Sequence, residues 1–493
     1  MRKRAGSSPY TDRYLATAFS APTLAKDALA SPGEPSASGQ GNKRPTIVQS
    51  VFYGDPSLPG RASGGGLGTL VRSLGKALAG RGLPVLTLTA RDDSGVRLPA
   101  TETLDKNHEL RRLDIHLPAR TPAAFLAASS RIEAAAEQVL RAEAGNRSIV
   151  HIRYLDDASR AVASAARRLG LRIALTLTPD PHRSVCGPDG RIVPRDIEAT
   201  RELFNRILIG DDLVRWSRGL VGIGREAFAS TLPEFFPQLE DTRGMVRAGI
   251  DEGVDTSEPA QIGDPARLLC DPGLALALDP SRIDEPAIIC VGRLNAQKGQ
   301  LNLARAWADG PLRERWNLIL IGGDLDNPSD EERAARDGIR ALAGPATKGR
   351  LCHLPAQDNA VVRGLLAWWG SRRPAAGSDL YVCPSLKEEF GLSILEAMAA
   401  GLPACAPLNG GARGYMRHGV NGFLLDTRDA SSLGRDLGHL LNQGVLEAAR
   451  LEGLRSEARR IVEKDYSLQA MAAAYADFYK RLSDIKEGQN ERP

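Results

Sequence analysis

Short, uninterrupted apolar runs alternate with amphipathic helical segments along most of this chain, and that alternation constrains the fold more than any other feature. Ile149–Ile152, Ile173–Leu177, Leu220–Ile223, Ala287–Val291, Leu318–Ile321 and Leu380–Cys383 are strand-length stretches with few polar interruptions. A strand that is apolar on both faces must be covered on both faces, which points to parallel sheets between layers of helix. Thr46–Phe52 and Val85–Thr89 open the series, and Pro403–Ala406 adds a short late strand. Between the runs lie helical patterns such as Thr69–Ala79, with Leu70, Leu74 and Leu78 on one face, and Asp196–Ile209, with Leu203, Phe204, Ile207 and Leu208 on one side. The pattern over Ser467–Asp484 places Leu468, Met471, Tyr475, Phe478 and Leu482 on a single stripe, so that helix packs on something.

The runs fall into two successive βα series, separated by the loop-like stretch Asp251–Ser281, and each suits one doubly wound sheet. The expected organisation is therefore α/β, with Rossmann-like domains over 45–255 and 256–466 and a closing helical segment over 467–493. Residues 1–44 are rich in Ser, Ala, Gly and Pro and read as a mostly disordered tail, with one short helix near Arg13–Phe19. Composition narrows the function classes. The 64 basic and 60 acidic side chains leave a net charge of only +4, too small a surplus to argue for nucleic acid or an anionic membrane. No apolar run approaches the ~20 residues that span a bilayer, and no apolar region follows the basic Met1–Arg4, so no signal peptide is read. The six cysteines are scattered with no CxxC pair, which suits reduced thiols in a cytoplasmic protein.

Chemistry-bearing residues cluster at the carboxyl ends of the expected strands, where open α/β sheets bind ligands. Ser63–Thr69 is a glycine-rich stretch opening a helix, and the amides there could approach an anion. It is neither a P-loop nor a good dinucleotide fingerprint, and it could equally be a flexible turn. Gly292–Gly299 follows a strand and carries Arg293 and Lys298, a planar fork and a point charge suited to a diphosphate. Pro384–Pro403 carries Glu388 and Glu396, with the amides of Gly391 and Leu392 at an expected helix start near Ser393. Both glutamates also have capping-box spacing, Ser385-x-x-Glu388 and Ser393-x-x-Glu396. Asn409–Arg413 reads as another phosphate-facing glycine turn, and His418–Asp426 as a turn into a short strand. His151–Asp157 and Thr178–Ser184 end two strands and are expected to face the same crevice, with His182 able to donate to a sugar hydroxyl or an anion. No His/Cys cluster has metal-ligand spacing; Asp324-Leu325-Asp326 could hold a divalent cation or simply be solvated.

In combination, Glu-x-Phe-Gly-Leu-x-x-x-Glu-Ala over Glu388–Ala397, Gly-Arg-Leu-x-x-x-Lys-Gly over Gly292–Gly299 and Asn-Gly-Phe-Leu-x-Asp over Asn421–Asp426 resemble the family 4 retaining glycosyltransferases of GT-B fold, nearest the sucrose-phosphate-synthase-like branch. Within that branch's His-Gly-His-Tyr-Ala-Asp motif, Arg153 here replaces the second histidine, and Ser63–Gly66 stands where the branch has Asp-Thr-Gly-Gly-Gln. The resemblance implies a transferase that moves a sugar from a nucleotide diphosphate to a small polar acceptor, either a sugar phosphate or a natural-product alcohol or thiol. It implies that Arg293 and Lys298 hold the diphosphate and that Glu396 binds the ribose. Glu388 and the amides of Phe390, Gly391 and Leu392 would hold the donor sugar, His182 would touch the transferred sugar, and the amides of Gly65, Gly66 and Leu67 would complete the phosphate cradle. It also implies a closing helix that crosses back to the first domain, metal-independent chemistry, and no permanently bound cofactor. The nucleotide is expected to be UDP, with GDP second. A nucleotide-sugar epimerase of the same fold and a non-catalytic nucleotide-sugar binder are the competing readings.

Overall fold

The computed structural model describes residues 47–485, apart from 59–64, 92–97, 178–195, 230–231, 233–235, 237–238, 240–241, 243, 325–327, 373–377 and 443–447. The expected tail over 1–44 and the stretch Thr178–Ser184, including His182, lie outside the described residues. The first sheet has eight strands: β1 (Ile47–Ser50), β2 (Val85–Ala90), β3 (Thr101–Asp105), β4 (His108–Leu113), β5 (Ile149–Ile152), β6 (Arg172–Leu177), β7 (Gly219–Ile223) and β8 (Val246–Ile250). Their order is β3-β4-β2-β1-β5-β6-β7-β8, parallel throughout except for the antiparallel β3–β4 pair at one edge. The second sheet has six parallel strands: β9 (Ala287–Val291), β10 (Asn317–Ile321), β11 (Leu351–Leu354), β12 (Leu380–Val382), β13 (Ala404–Pro407) and β14 (Phe423–Leu425), ordered β11-β10-β9-β12-β13-β14.

Each sheet is sandwiched between helices, as its doubly apolar strands require. On the first sheet, Pro122–Glu143, Asp157–Arg168 and Ile197–Trp216 cover one face and Gly65–Gly80 with Leu468–Ser483 the other. On the second, Gln300–Asp309, Asp330–Arg340 and Ala430–Asn442 oppose Asn359–Ser371, Leu392–Ala399 and Ala448–Asp465. The helix expected over Asp196–Ile209 runs on to Trp216, and its expected apolar face is not the one it buries. Phe204, Ile207 and Leu208 are exposed, while Ile209, Gly210, Leu213 and Val214 are buried. Helical periodicity identifies a stripe but not which turn of the helix reaches the sheet.

In both sheets the chain moves outward from a central strand and then returns to that strand's other side. The reversals lie between β1 and β5 in the first sheet and between β9 and β12 in the second. Loops leaving those four strands diverge, so each sheet opens a crevice at its carboxyl edge there.

The two sheets are joined where the chain passes between them twice, side by side. The Val254 amide donates to the Tyr466 carbonyl at 2.9 Å, and the Leu468 amide donates to the Val254 carbonyl at 2.8 Å. Gly253 lies so close to the second crossing that a β-carbon would sit 2.4 Å from the Ser467 carbonyl oxygen. The terminal helix, Leu468–Ser483, then lies on the first sheet. Its Phe478 ring packs where a β-carbon on Gly219 would be 2.6 Å away.

His151 anchors that helix. Its Nδ1 lies 2.6 Å from the Tyr479 hydroxyl and its Nε2 2.7 Å from the Thr176 hydroxyl, so both ring nitrogens are used. His151 therefore does not face the crevice as expected. Alternation along β5 turns its ring toward the helix layer, where burial holds it neutral, well below the usual histidine range. Tyr479→Phe leaves a buried ring nitrogen without its partner and is expected to cost about 1–3 kcal/mol. The urea midpoint reads this directly; an unchanged midpoint would mean that ring packing alone holds the helix.

Candidate active site

Loops from both reversals line one cavity of about 780 Å³. On the first sheet's side, the loop after β1 contributes Gly54 and Asp55. Arg112, 1% exposed at its side chain, fixes this loop from below: Nε lies 2.6 Å from Asp55 Oδ2 and Nη2 lies 2.6 Å from Ser57 Oγ. The helix that follows begins at Gly65, four residues before the expected start, so Gly65, Gly66 and Leu67 form its first turn. Amides of a first turn have no carbonyl partner within the helix and point out of its N-terminus. Gly68, Thr69 and Arg72, the next residues along, line the cavity.

On the second sheet's side, Arg293, Lys298, Glu388, Phe390, Gly391, Leu392 and Glu396 all line the same cavity. Arg293 is exposed and has no ion-pair partner among the described residues. Lys298 Nζ lies 2.6 Å from Glu388 Oε2, and the Ser385 hydroxyl donates to the same oxygen at 2.9 Å. Gly299 makes this approach possible. It adopts φ 68° between the turn Ala296–Lys298 and the helix Gln300–Asp309, and a β-carbon there would lie 2.1 Å from the Pro384 carbonyl oxygen. The Leu386 amide donates to the Gln297 carbonyl at 2.9 Å, so the loops after β9 and β12 are docked on one another.

Three local expectations change. The helix after Glu388 begins at Leu392 with Gly391 at the N-cap and no side-chain cap, so Ser393-x-x-Glu396 is not a capping box. Glu396 Oε1 instead accepts from Asn359 Nδ2 at 3.0 Å; burial pushes its carboxyl up and Asn359 offsets part of that. No helix starts at Ser385 either, and its hydroxyl serves the Glu388 carboxylate. The Asn409–Arg413 turn is a buttress rather than a phosphate loop: Gly410 pairs with Glu388, and the Gly411 amide donates to the Glu388 carbonyl at 2.8 Å. The Phe390 ring turns inward against Tyr415 and Tyr466, and Tyr415 Oη donates to the Phe390 carbonyl at 2.7 Å.

Asn359 and Glu252 are among the lining residues that had no role from the sequence. Asn359 follows β11, whose four residues include a histidine and give too weak a strand signal to place the loop. Glu252 lies in the joining segment that reads as loop. Arg153 also lines the cavity; from the sequence it is a departure from a motif and a cation that would suit a sugar-phosphate acceptor. Glu252 is 9% exposed, and its carboxyl is pushed up to about 7 by burial; Arg153 counters this while Glu389 and Glu388 add repulsion. The folded chain therefore holds an extra proton between about pH 4.5 and 7, and its stability falls across that window as the pH rises. Glu252→Gln should match the native protein at pH 5 and exceed it at pH 8 by about 1–3 kcal/mol. Parallel stability curves for the two proteins between pH 5 and 8 would show that the carboxyl is not desolvated.

Among the described residues, no group of three or more His, Cys, Asp or Glu side chains could hold a metal ion. Asp324 lines the cavity, while Leu325 and Asp326 lie outside the description. No described helix is long and apolar enough to cross a membrane.

Residues 279–460 match the family described as "Glycosyl transferases group 1". The chain is 29% identical over 466 residues, 90% of its length and 99% of the relative's, to D-inositol 3-phosphate glycosyltransferase of Xylanimonas cellulosilytica. Sucrose-phosphate synthase from Thermosynechococcus elongatus superposes with a TM-score of 0.68 at 22% identity, covering 89% of this chain and 99% of that one. HepE of Anabaena, solved in complex with UDP-glucose, superposes with a TM-score of 0.60 at 17% identity, covering 89% and 100%. The two facing parallel-sheet units are thus a GT-B fold, and the second of them carries a glycosyltransferase group 1 domain.

Proposed function

We propose that this protein transfers a hexose from UDP-hexose to a hydroxyl of a small polar acceptor, with retention at the anomeric carbon. The observation that carries this reading is the convergence of Arg293, Lys298, Glu388 and Glu396 on one cavity, opposite a helix N-terminus from the other sheet. UDP is favoured because HepE, of similar fold, holds UDP-glucose. Retention is the stereochemistry of the family that the motifs resemble. The five described cysteines are unpaired and four are buried, which suits work in the reducing cytoplasm.

Cleavage of the bond between sugar and phosphate leaves positive charge on the anomeric carbon and negative charge on the departing diphosphate. Arg293 and Lys298 meet the negative charge, and the amides of Gly65, Gly66 and Leu67 add the positive end of a helix dipole. Glu396 takes the ribose hydroxyls. Glu388 and the amides of Phe390, Gly391 and Leu392 take donor-sugar hydroxyls, and the resemblance assigns His182, which lies outside the described residues, to the transferred sugar. The acceptor oxygen attacks from the face the phosphate leaves, and its proton passes to a phosphate oxygen. Two cations and a helix end supply enough charge that chelation with EDTA should leave the rate unchanged.

The test is UDP release from UDP-glucose against a panel of acceptors, starting with inositol 3-phosphate and fructose 6-phosphate, which the relatives' names suggest. UDP should appear only with an acceptor present, and NMR of the product should show the donor's own anomeric configuration. Arg293→Ala and Lys298→Ala should each lower kcat about a hundredfold if each supplies ~3 kcal/mol to the transition state. A new sugar nucleotide without an acceptor would point to epimerisation, and bound but unconsumed donor to a binding protein.

A further inference from the structure

Among the described residues, seven large apolar side chains stand exposed, and four of them belong to one helix, Ile197–Trp216. Ile197 is 75% exposed, Phe204 61%, Ile207 46% and Leu208 66%. The helix contributes nothing to the cavity wall, so this face has no part in the proposed transfer site. Its buried residues, Ile209, Gly210, Leu213 and Val214, all lie in the second half. The turns before Ile209 bury nothing and are held by a polar contact, Asn205 Nδ2 donating to Asp157 Oδ2 at 2.9 Å. Helical turns without tertiary packing are marginal in water, and a contiguous exposed apolar patch marks an interaction surface.

The charges on the same face say what covers it. At the helical repeat, Ile197, Arg201, Phe204, Leu208, Asp211 and Arg215 fall within about 40° of one line along the helix, with Ile207 at its border. That line is self-complementary when a second copy of the helix lies antiparallel with its midpoint level with Arg206. Phe204 then meets the partner's Leu208, and Arg201 comes level with the partner's Asp211, each contact occurring twice by symmetry. Ile197 comes level with the aliphatic stem of the partner's Arg215. A parallel pair in register would set Arg201 against Arg201. Within its own helix Arg201 pairs with Glu198 and Asp211 with Arg215, and both Arg201 and Asp211 stay open to solvent. A lipid surface fits less well. Four acids, Glu198, Glu202, Asp211 and Asp212, outnumber the three arginines Arg201, Arg206 and Arg215, whereas helices that lie on anionic bilayers carry a basic polar face.

We propose that the exposed stripe of Ile197–Trp216 is a docking surface for a second copy of this chain, with the two helices antiparallel and Phe204 packed on the partner's Leu208. A stable interface buries about 800 Å² on each partner, so the helix pair is the apolar centre and the surrounding surface of the first unit supplies the rim. The helix links the parallel strands β6 and β7 and therefore runs against them. Antiparallel helices thus turn the carboxyl edges of the two first sheets in opposite directions, and neither copy blocks the other's cavity.

The experiment is sedimentation equilibrium of the full-length chain from sub-micromolar to submillimolar concentration. Native protein should reach twice the mass of the chain within that range. Phe204→Glu and Leu208→Glu should each raise the dimer dissociation constant about a hundredfold, with helix content by circular dichroism unchanged because both side chains are exposed. Phe204→Ser should raise it about tenfold and covers the case in which a charged variant fails to fold. Arg201→Glu and Asp211→Arg each place like charges across the two-fold axis twice, and each should weaken the dimer about tenfold. Combined in one chain they restore opposite charges, and the dissociation constant should return to within about threefold of the native value. The proposal fails if the native chain stays monomeric, if its dimer ignores Phe204→Glu and Leu208→Glu, or if the double swap does not recover association. Native monomer that binds phosphatidylglycerol vesicles, with binding lost in Phe204→Glu, would assign the stripe to a bilayer and overturn the proposal as well.

Discussion

The double crossing at Val254 and Ser467 is the constraint on which the rest of the molecule depends. Two chain segments pass between the sheets as a hydrogen-bonded pair, with Gly253 too close to Ser467 to carry a side chain. With those strands of chain tied together, the carboxyl edges of the two sheets are held toward a common space. The cavity exists because both reversals in strand order open into it, and it would be two unrelated surface clefts if the crossings were independent tethers.

Charge inside the cavity is arranged as a set of compromises that a ligand can resolve. Lys298 and Glu388 neutralise one another, with Ser385 supporting the carboxylate, so neither waits as a bare buried ion. Arg293 needs no such partner because it is exposed. Glu252 settles its position by favouring the protonated form, and Arg153 is left with donors to spare. The loops that carry the first pair are locked by Gly299 against Pro384 and by Gly410 against Glu388, so their geometry is fixed by backbone contact rather than by the side chains that carry the charge.

Much of the fold was legible because its central strands are apolar on both faces, which few other arrangements tolerate. Ile149–Ile152 and Ala287–Val291 lie within the bounds read from sequence. Of the strands that escaped notice, β11 is buried throughout but short and interrupted by His353, and the others are less buried. β3 and β4 form a hairpin whose residues are largely polar, β3 having no buried residue, and β8 is an edge strand only partly buried. At the site, Arg293, Lys298, Glu388 and Glu396 could be found because their spacing is carried within continuous loops and helix starts. Asn359 and Glu252 could not, since each reaches the cavity from a separate part of the chain and has no local pattern of its own. The same limit explains the misjudged roles of Ser393 and of Gly410. A glycine turn looks alike whether it faces a phosphate or a neighbouring backbone, and only the partner across space, Glu388, distinguishes them.

The placement of the terminal helix has a consequence for how the protein comes into being. Tyr479 meets His151 across 328 residues of sequence, and Met471, Tyr475, Phe478 and Leu482 complete the apolar layer over Ile47, Val85, Ile149 and Val221. In chain order the first sheet therefore has one face only partly covered until all of the second sheet has been made. This differs from a chain whose N-terminal unit holds its whole core within its own stretch of sequence and can be completed before the remainder is made. The last helix of the chain is the one that closes the first sheet's apolar layer.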